Sequence, residues 1–542
     1  MKKIFSLFLT GTVAASSLLL TGCIEETLPT SGATQDQIDG SLAAKAALLW
    51  GMPAYANSLE VSTDSHYDWG YGSIMHIRDC MTEDLAVVSS SYDWYTAWEQ
   101  NQHIGKDYAS TGFIWVFMTG WAQTTNKAIA GINEETATEG ELGQLGAAYT
   151  YRALVYLDMA RMYEFLPCDV FKEGTNADGK VVAGLTVPIV TEKTTEQEAK
   201  NNPRADHKTM YDFILADLNK AETLLPKLQV SDPTVPTMGV LYGLKARLYL
   251  WNASYLEEQG EDATAEYKNA QTAARQAIDE GYTPTTKDQW LNTTSGFNTP
   301  IDSWMLCAKA VKENGVVSSG LLNWTSWMCN ETDYGYASAG PMSMIGRSLY
   351  DRIPSADFRK LSWQAPEGSK LRKQNTYVDP AFAGIADYAS LKFRPGMGEF
   401  EDYQIGSATA FPLMRVEEMY FIEAEAAAHQ DAAQGKNLLE SFMRSYRYAS
   451  YSCKSDDADD VIDEIILQKR IELWGEGQTY FDVKRLNMSV NRKYTDSNFS
   501  SQAQLSTSGR PAWMNFCIVR SEEANNAGVK GWNNPDPSGK YK

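Results

Sequence analysis

The chain has 542 residues, of which 43% are hydrophobic and 22% are charged. These shares are typical of a protein that folds in water, and they argue against a disordered or membrane-embedded chain. The formal net charge of −21, with no run of lysines and arginines, argues against nucleic acid as a partner, and the length predicts one large domain or two interlocked ones.

The N-terminus has the pattern of a secretion signal. Two lysines precede a mostly apolar run, residues 4–20, which leads into Leu-Thr-Gly-Cys23, a match to a bacterial lipobox. We therefore expect residues 1–22 to be a lipoprotein signal peptide and residues 23–40 to be a tether whose Cys23 thiol carries the lipid. The alternatives are an ordinary signal peptide with a chance cysteine and a retained membrane span.

Helical periodicity appears in two blocks of the chain. Apolar residues recur at the spacing of one helix face in seven stretches. These are residues 142–163, 211–225, 240–255, 267–278, 414–429, 437–448 and 461–474. Many contact positions carry alanine or an aromatic residue, as in stacked helical hairpins, although no strict 34-residue repeat is visible. The predicted fold class is mainly α, a tetratricopeptide-like scaffold of helical hairpins with long loop-rich insertions.

Two regions lack this periodicity and are rich in tryptophan, residues 57–108 and about 284–410. Long irregular regions inside a compact domain are more often functional than accidental. The predicted organisation is a single domain over 41–542, with a helical scaffold (about 41–283 and 411–487), a loop-rich insert (about 284–410) and an irregular C-terminal segment (488–542).

Six cysteines besides Cys23 are scattered along the chain, and the only close couple is Cys307 and Cys329. An exported protein can pair some of them, but the spacing leaves the pairing open, and we expect most to be buried as small apolar side chains. No CxxC or HExxH motif occurs among five histidines, so we predict neither a metal nor a cofactor.

Two motifs near the C-terminus resemble the SusD/RagB family. Residues 465–485 are similar to the family motif that closes its helical domain, and residues 413–426 resemble an earlier family helix. The matching residues of the first motif are Arg470, Glu472, Glu476, Gly477, Asp482 and Arg485, and those of the second include Arg415 and Glu417.

The resemblance implies an outer-membrane nutrient-binding lipoprotein that captures oligosaccharides for a SusC-like TonB-dependent transporter and is not an enzyme. Glu25 and Glu26, just after Cys23, resemble the surface-export signal of Bacteroidetes lipoproteins, which implies a lipid-anchored protein on the outer membrane that faces the cell exterior; the alternative is that they are only part of a solvated tether. Because RagB-like members bind peptides, peptide import is an alternative function.

Glu472 and Glu476 lie four residues apart and so on one helix face, which can be mistaken for a catalytic pair. We interpret them as part of a buried network with arginines, because a lone buried charge is costly. An exported glycoside hydrolase remains a further alternative, since it needs two carboxylates about 5 to 10 Å apart, but no hydrolase motif supports it.

The candidate ligand site lies in the two tryptophan-rich regions. Sugars present flat apolar faces ringed by hydroxyls, so their sites need aromatic platforms beside polar groups. Trp94 and Trp98 would share a face if helical, and Trp98 with Asn101 resembles the stretch by which the family's starch-binding member contacts glucan. The candidates are Trp98, Asn101, Trp94, Arg78 and Tyr92, with Trp324, Trp327, Tyr334 and Tyr336 as the opposite wall. Each tryptophan can also be core, and Arg78 can be a surface ion pair.

Overall fold

The computed structural model describes residues 41–541, apart from the side chains of residues 42–44. The predicted signal peptide, lipid-attachment residue Cys23 and tether lie outside the described residues. Among the residues described, no helix is both long enough and apolar enough to cross a membrane.

The first part of the chain forms long scaffold helices and two helical segments of four residues each. They are α1 (Leu42–Tyr55), α2 (Tyr71–Cys80), α3 (Thr96–Glu99), α4 (Ala109–Ala130), α5 (Glu139–Tyr163), α6 (Glu196–Ala199), α7 (His207–Leu224), α8 (Met238–Glu258) and α9 (Thr264–Asp279), with strand β1 (Leu85–Val87) after α2. Helix α5 begins with a capping box, in which Thr138 and Glu141 satisfy each other's backbone amides.

Close packing of α5 against the end of α7 depends on two glycines. A Cβ atom at Gly146 would lie 2.5 Å from the backbone nitrogen of Leu225, and one at Gly143 would lie 2.3 Å from that of Leu228. Only glycine leaves room for this contact. The predicted pairing of helices through small residues is therefore visible here in atomic detail.

The insert consists of short elements. They are α10 (Lys287–Trp290), β2 (Trp304–Lys309), α11 (Gly315–Ser318), α12 (Trp324–Met328), α13 (Gly335–Ala339), β3 (Ser343–Ile345), α14 (Arg347–Arg352) and α15 (Tyr403–Gly406), with 3₁₀ turns at Phe358–Ser362, Lys370–Gln374, Pro380–Gly384 and Gly396–Gly398.

The chain then returns to the scaffold. The remaining elements are β4 (Ala410–Arg415), α16 (Val416–Ala428), α17 (Ala432–Tyr446), α18 (Ala458–Glu472), α19 (Thr479–Arg485), a 3₁₀ turn at Ala512–Met514 and α20 (Arg520–Asn525). Helix α16 packs against α9, α17 and α18, so the two helical blocks form one continuous scaffold. The mainly α fold class is confirmed.

Two antiparallel strand pairs join the insert to the rest. Strand β1 pairs with β3, with Leu85 opposite Ile345, and β2 pairs with β4, with Lys309 opposite Ala410. Because β4 leads directly into α16, the second pair ties the insert to the scaffold. The first pair brings the tryptophan-rich segment around residue 94 next to the insert.

Two long buried helices were not predicted. Helix α2 lies within residues 57–108, which the sequence indicated as loop-rich, and every residue of this helix is buried. Helix α4 spans 22 residues, with Phe113, Trp115, Phe117 and Trp121 all buried. Both helices bury side chains on most of their sides, so their apolar residues are not confined to one face and the amphipathic period by which helices are recognised is weak.

The family motif residues form a buried ion network. Glu472 accepts from Arg447 (Nη2 to Oε1, 2.6 Å), Arg359 (Nη1 to Oε2, 3.0 Å) and Arg415 (Nη1 to Oε1, 3.2 Å). Glu476 accepts from Lys392 at 2.7 Å. Burial alone would raise the pKa of Glu472, but Arg447, Arg415 and Arg359 hold it well below its usual value. The structural role predicted for both glutamates is confirmed.

The other matching residues also link elements. Arg470 Nε donates to Asp84 at 3.1 Å, and Arg485 binds Glu425 at 2.6 Å. The amide of Gly477, which has a φ of 68°, donates to Asp79 at 2.9 Å. The motif therefore connects α18 and α19 to α2, β1 and α16.

All six described cysteines are buried, and none forms a disulfide in residues 41–541. This agrees with their prediction as small apolar side chains. Cys307 and Cys329, the close couple in sequence, remain free thiols.

We expect Glu472→Ala to lower the free energy of unfolding by about 3 to 5 kcal/mol, because it removes a carboxylate that three buried guanidinium groups share and leaves Arg447 with only a 3.5 Å contact to Glu417. Chemical denaturation at neutral pH measures this. The matched control is Asp463→Ala, which removes an exposed carboxylate from the same helix and should change stability by less than about 0.5 kcal/mol. Equal losses in the two variants would contradict a stabilising network.

Candidate functional site

Aromatic side chains from residues 92–98 and from the insert meet in this structure. Trp327 lies edge-on to Tyr95, with ring centroids 4.7 Å apart, and stacks on Tyr336 at 4.2 Å. The Tyr336 hydroxyl hydrogen-bonds to His66 Nδ1, and the His66 ring stacks on Trp94 at 4.5 Å. A continuous column of rings therefore runs from the core to the surface and ends in Trp94.

A local turn determines which ring faces outwards. Asp93 N donates to Ser90 O (3.3 Å), and Asp93 Oδ1 accepts from the amide of Tyr95 at 2.8 Å. As a result Tyr95 is fully buried, whereas Trp94 is 40% exposed and Tyr92 is 58% exposed. We call His66, Tyr92 and Trp94 the aromatic patch.

A half-buried aromatic pair lies at the start of α13. Tyr334, which is half-buried, approaches Tyr403 with ring centroids 6.4 Å apart. Tyr334 precedes Tyr336, the buried ring that supports the patch, by two residues. Of the four insert candidates, Tyr334 is the one that reaches the surface.

The expectation that Trp94 and Trp98 share one helix face is wrong. Helix α3 begins only at Thr96, so Trp94 lies before it. Trp98 is 2% exposed and packs edge-on against Tyr67, with ring centroids 5.1 Å apart. In this structure Trp98 belongs to the core and presents no ring face to solvent.

Asn101 is also buried, in a role that the sequence did not indicate. Its backbone has a φ of 51°, its Nδ2 donates to Pro537 O at 2.9 Å, and its carbonyl accepts from Gly539 N at 2.7 Å. Asn101 therefore binds the C-terminal segment, which covers it.

Arg78 is neither a ligand-facing residue nor a surface ion pair. Its guanidinium is fully buried, lies 3.2 Å from Asp158 and stands 4.6 Å from the ring centre of Phe481. Burial would raise the pKa of Asp158, but Arg161 and Arg78 lower it to about 2. Arg78 is a structural cation that joins α2 to α5.

The remaining insert candidates are buried as well. Trp324 stacks on Phe411 at 4.5 Å, so one of its faces is covered. Trp327 and Tyr336 are inner members of the aromatic column. The tryptophans of the loop-rich insert therefore mark mainly core, because they pack into the same buried cluster as the helical scaffold.

His66 and Tyr403 were missed by sequence reasoning. Each is separated along the chain from the aromatic partner that it contacts, and nothing in the local sequence indicates those contacts. Within residues 41–541 there is no group of three or more His, Cys, Asp and Glu side chains placed to hold a metal ion.

A pair of acidic side chains lies beneath the aromatic patch. Burial raises the pKa of Glu99 strongly, and the neighbouring Asp93 carboxylate raises it further. Burial also raises the pKa of Asp93. Glu99 Oε1 has no hydrogen-bond partner in the described part of the chain. The pair is therefore most stable when it carries a proton.

We expect Glu99→Gln to raise the free energy of unfolding at pH 8 and to leave it almost unchanged at pH 4. A carboxyl whose pKa is raised by folding contributes stability at low pH, and that contribution is lost as the pH rises through the folded-state pKa. Gln mimics the protonated form at every pH. Thermal unfolding from pH 4 to pH 8 measures the difference, with Glu135→Gln as the exposed control. If Glu99→Gln stabilised the protein equally at all pH values, this explanation would be wrong.

Comparison with known proteins agrees with the fold and the motifs. Residues 59–250 match a SusD-like family described as starch-binding and associating with the outer membrane, and residues 397–526 match the SusD family. The two matches together span more than half of the chain. This protein belongs to the SusD/RagB family.

Solved structures share the fold at low sequence identity. A SusD-like carbohydrate-binding protein from Bacteroides vulgatus is 20% identical, with a TM-score of 0.68 over 90% of this chain and 98% of that one. A SusD superfamily protein from Bacteroides thetaiotaomicron is 18% identical, with a TM-score of 0.66 over 91% and 100%. A laminarin-binding SusD-like protein is 16% identical, with a TM-score of 0.59 over 89% and 97%. No curated protein matches the sequence.

Proposed function

We propose that the protein is a cell-surface lipoprotein that binds oligosaccharides and delivers them to a SusC-like TonB-dependent transporter of the outer membrane. The observation that carries the proposal is the exposed Trp94 ring, which stacks on His66 and follows the exposed Tyr92 by two residues. Family membership and the carbohydrate-binding and laminarin-binding structural neighbours support the choice of ligand.

The patch has the physical features that a sugar platform needs. A sugar ring offers an apolar face of C–H groups, which gains free energy by covering an aromatic face. The His66 ring backs Trp94, and Tyr336 in turn holds His66 by a hydrogen bond, so the indole is fixed before ligand arrives. Fixing the platform in advance lowers the entropy cost of binding.

A sugar site also needs polar groups, and the turn that carries Tyr92 supplies hydroxyl groups. The exposed Tyr92 hydroxyl can donate and accept, and the half-buried Ser90 hydroxyl, which accepts from the Tyr92 amide at 3.2 Å, lies on the same turn. A flat aromatic face beside hydroxyl groups suits a neutral oligosaccharide. Binding of this kind needs no catalytic group, so we propose capture without turnover.

We expect Trp94→Ala to weaken oligosaccharide binding by about 1 to 3 kcal/mol, the scale of stacking a planar ring on an aromatic side chain. Calorimetric titration with laminarin first, and then a panel of other glycans, measures this, and the recovered glycan should be intact by mass spectrometry. Trp532→Ala is the matched control, because Trp532 is similarly exposed (37%) and is not part of the patch.

The glycan experiment has two contrary outcomes. Unchanged affinity in the Trp94 variant would remove the patch from the binding site. Release of new reducing ends by the unmodified protein would replace capture by glycoside hydrolysis.

The lipobox and the family support two further parts of the proposal, attachment to the membrane and a transporter partner. We propose that a lipid on Cys23 anchors the protein at the outer membrane, facing the cell exterior, because several acyl chains give durable binding. A binder held only by lipid has no route for moving its ligand inwards. A barrel partner supplies that route.

We expect Cys23→Ala to move the protein from the membrane to the soluble fraction. Purification of the unmodified lipoprotein in mild detergent should recover a TonB-dependent barrel with it, because a stable interface of this kind buries more than about 2,000 Å². Fractionation and mass spectrometry measure both results. Retention of the variant would contradict lipid anchoring, and recovery of the lipoprotein alone would indicate a free-standing binder.

A further inference from the structure

Two small cavities lie inside the scaffold, where α5, α8 and α19 meet. Their volumes are about 20 Å³ and about 10 Å³, and they share the buried residues Arg161, Trp251, Phe481 and Arg485. A cavity of about 10 to 15 Å³ is enough for one water molecule. Each cavity therefore has room for a water molecule or a monatomic ion, and for no larger ligand.

The smaller cavity is lined mainly by cations. Its charged lining residues are Arg161, Lys484, Arg485 and the carboxylate Glu164. Both oxygens of Glu164 are already bound, because Oε1 pairs with His207 Nδ1 at 2.7 Å and Oε2 accepts from the Trp251 indole at 2.9 Å. The carboxylate of the lining is thus committed to other partners.

Lys484 is a buried cation without an ion pair. It is 2% exposed, and its Nζ donates to Met162 O at 2.8 Å. Among residues 41–541, no carboxylate forms an ion pair with it. Buried lysines are almost always paired with an opposite charge, and an ammonium group has three donors, of which one carbonyl takes one. Lys484 therefore needs both a further acceptor and a negative charge.

Arg161, on the same cavity, also lacks an acceptor. Its Nη2 donates to Asp158, and its guanidinium carbon lies 3.6 Å from the ring centre of Phe481. Its Nε is buried and has no hydrogen-bond partner in the part of the chain that the structure describes. Asp158 is shared with Arg78, so this carboxylate already serves two guanidinium groups.

The charges around Lys484 are unbalanced. Burial lowers the pKa of Lys484 strongly; Glu164 opposes this shift, whereas Arg510 and Arg204 add to it. Arg510 has its own partner, Glu258, at 2.9 Å, but Arg204 donates to backbone carbonyls and to the Asn534 amide oxygen. More positive than negative charge therefore acts on the smaller cavity.

We propose that this cavity is an anion site that takes chloride, held between the Lys484 ammonium group and the Nε–H of Arg161. Chloride supplies the acceptor that both donors lack and the negative charge that the lining lacks. Water supplies an acceptor without the charge. The volume excludes carboxylate, phosphate and sulfate, so the ligand class is a monatomic anion.

The site has a structural consequence. Arg161 belongs to α5, and Lys484 lies in α19 within the family motif, so the ion links the two helices where their like charges face each other. The site shares no residue with the aromatic patch. The inference does not depend on what that patch binds.

Crystallography of the purified protein with sodium bromide in place of sodium chloride tests the site directly. We expect an anomalous-difference peak, measured at the bromine absorption edge, in contact with Lys484 Nζ and Arg161 Nε. The peak should disappear in Lys484→Met, which keeps an unbranched side chain but removes the charge. It should remain in Lys172→Met, because Lys172 is exposed and lines neither cavity.

Thermal unfolding gives a second measurement in solution. Sodium chloride is exchanged for sodium gluconate at constant ionic strength, so that screening of surface charge stays the same. Above the Kd of the site, each tenfold rise in chloride should raise the Tm by about 1 °C, because chloride binds the folded state. Lys484→Met should lose this dependence. Lys172→Met should keep it, since general salt effects act on both variants.

Either of two results would overturn the proposal. One is a cavity that holds water in the bromide crystals, with no anomalous peak at Lys484. The other is a chloride dependence of the Tm that is equal in Lys484→Met and Lys172→Met. If Lys484→Met does not fold, the bromide crystals of the unmodified protein decide alone.

Discussion

Burial of charge between the insert and the scaffold is the constraint on which the rest of the structure depends. Removing an ion from water costs several kcal/mol, and only close partners with complete hydrogen bonding offset that cost. Glu472 and Glu476 from the end of α18 are matched by Arg359 and Lys392 from the insert and by Arg415 from the end of β4. A shift of the insert against the scaffold would leave several of these charges alone. The network therefore fixes the position of the insert, and with it the rings that the insert contributes to the surface.

The aromatic patch is a consequence of that fixed position. Trp327 and Tyr336 come from the insert, and Trp94 and His66 come from the segments around α2, so the column exists only when both parts are in register. Rings in the column hold each other by stacking and edge contacts, each contributing about 0.5 to 1.5 kcal/mol beyond burial. The inner rings are stabilised by their burial in the core, and their contacts hold the outer ring in place. A rigid exposed indole is what a weak, specific sugar contact needs.

The sequence by itself determined the helical scaffold, the family and the structural role of the motif glutamates. Helical spacing, small contact residues and paired charges are local patterns, and each of the seven predicted helices forms with its ends within a few residues of the expected positions. The sequence could not reveal α2 and α4, because both helices bury side chains on most of their sides and their apolar residues are therefore not confined to one face. Only the tertiary structure decided which candidate rings face solvent. Trp94 and Trp98 are four residues apart and chemically identical, yet the Asp93 turn directs one outwards while the C-terminal segment and Tyr67 enclose the surroundings of the other. Exposure depends on chain segments far away in sequence, and no local pattern carries that information.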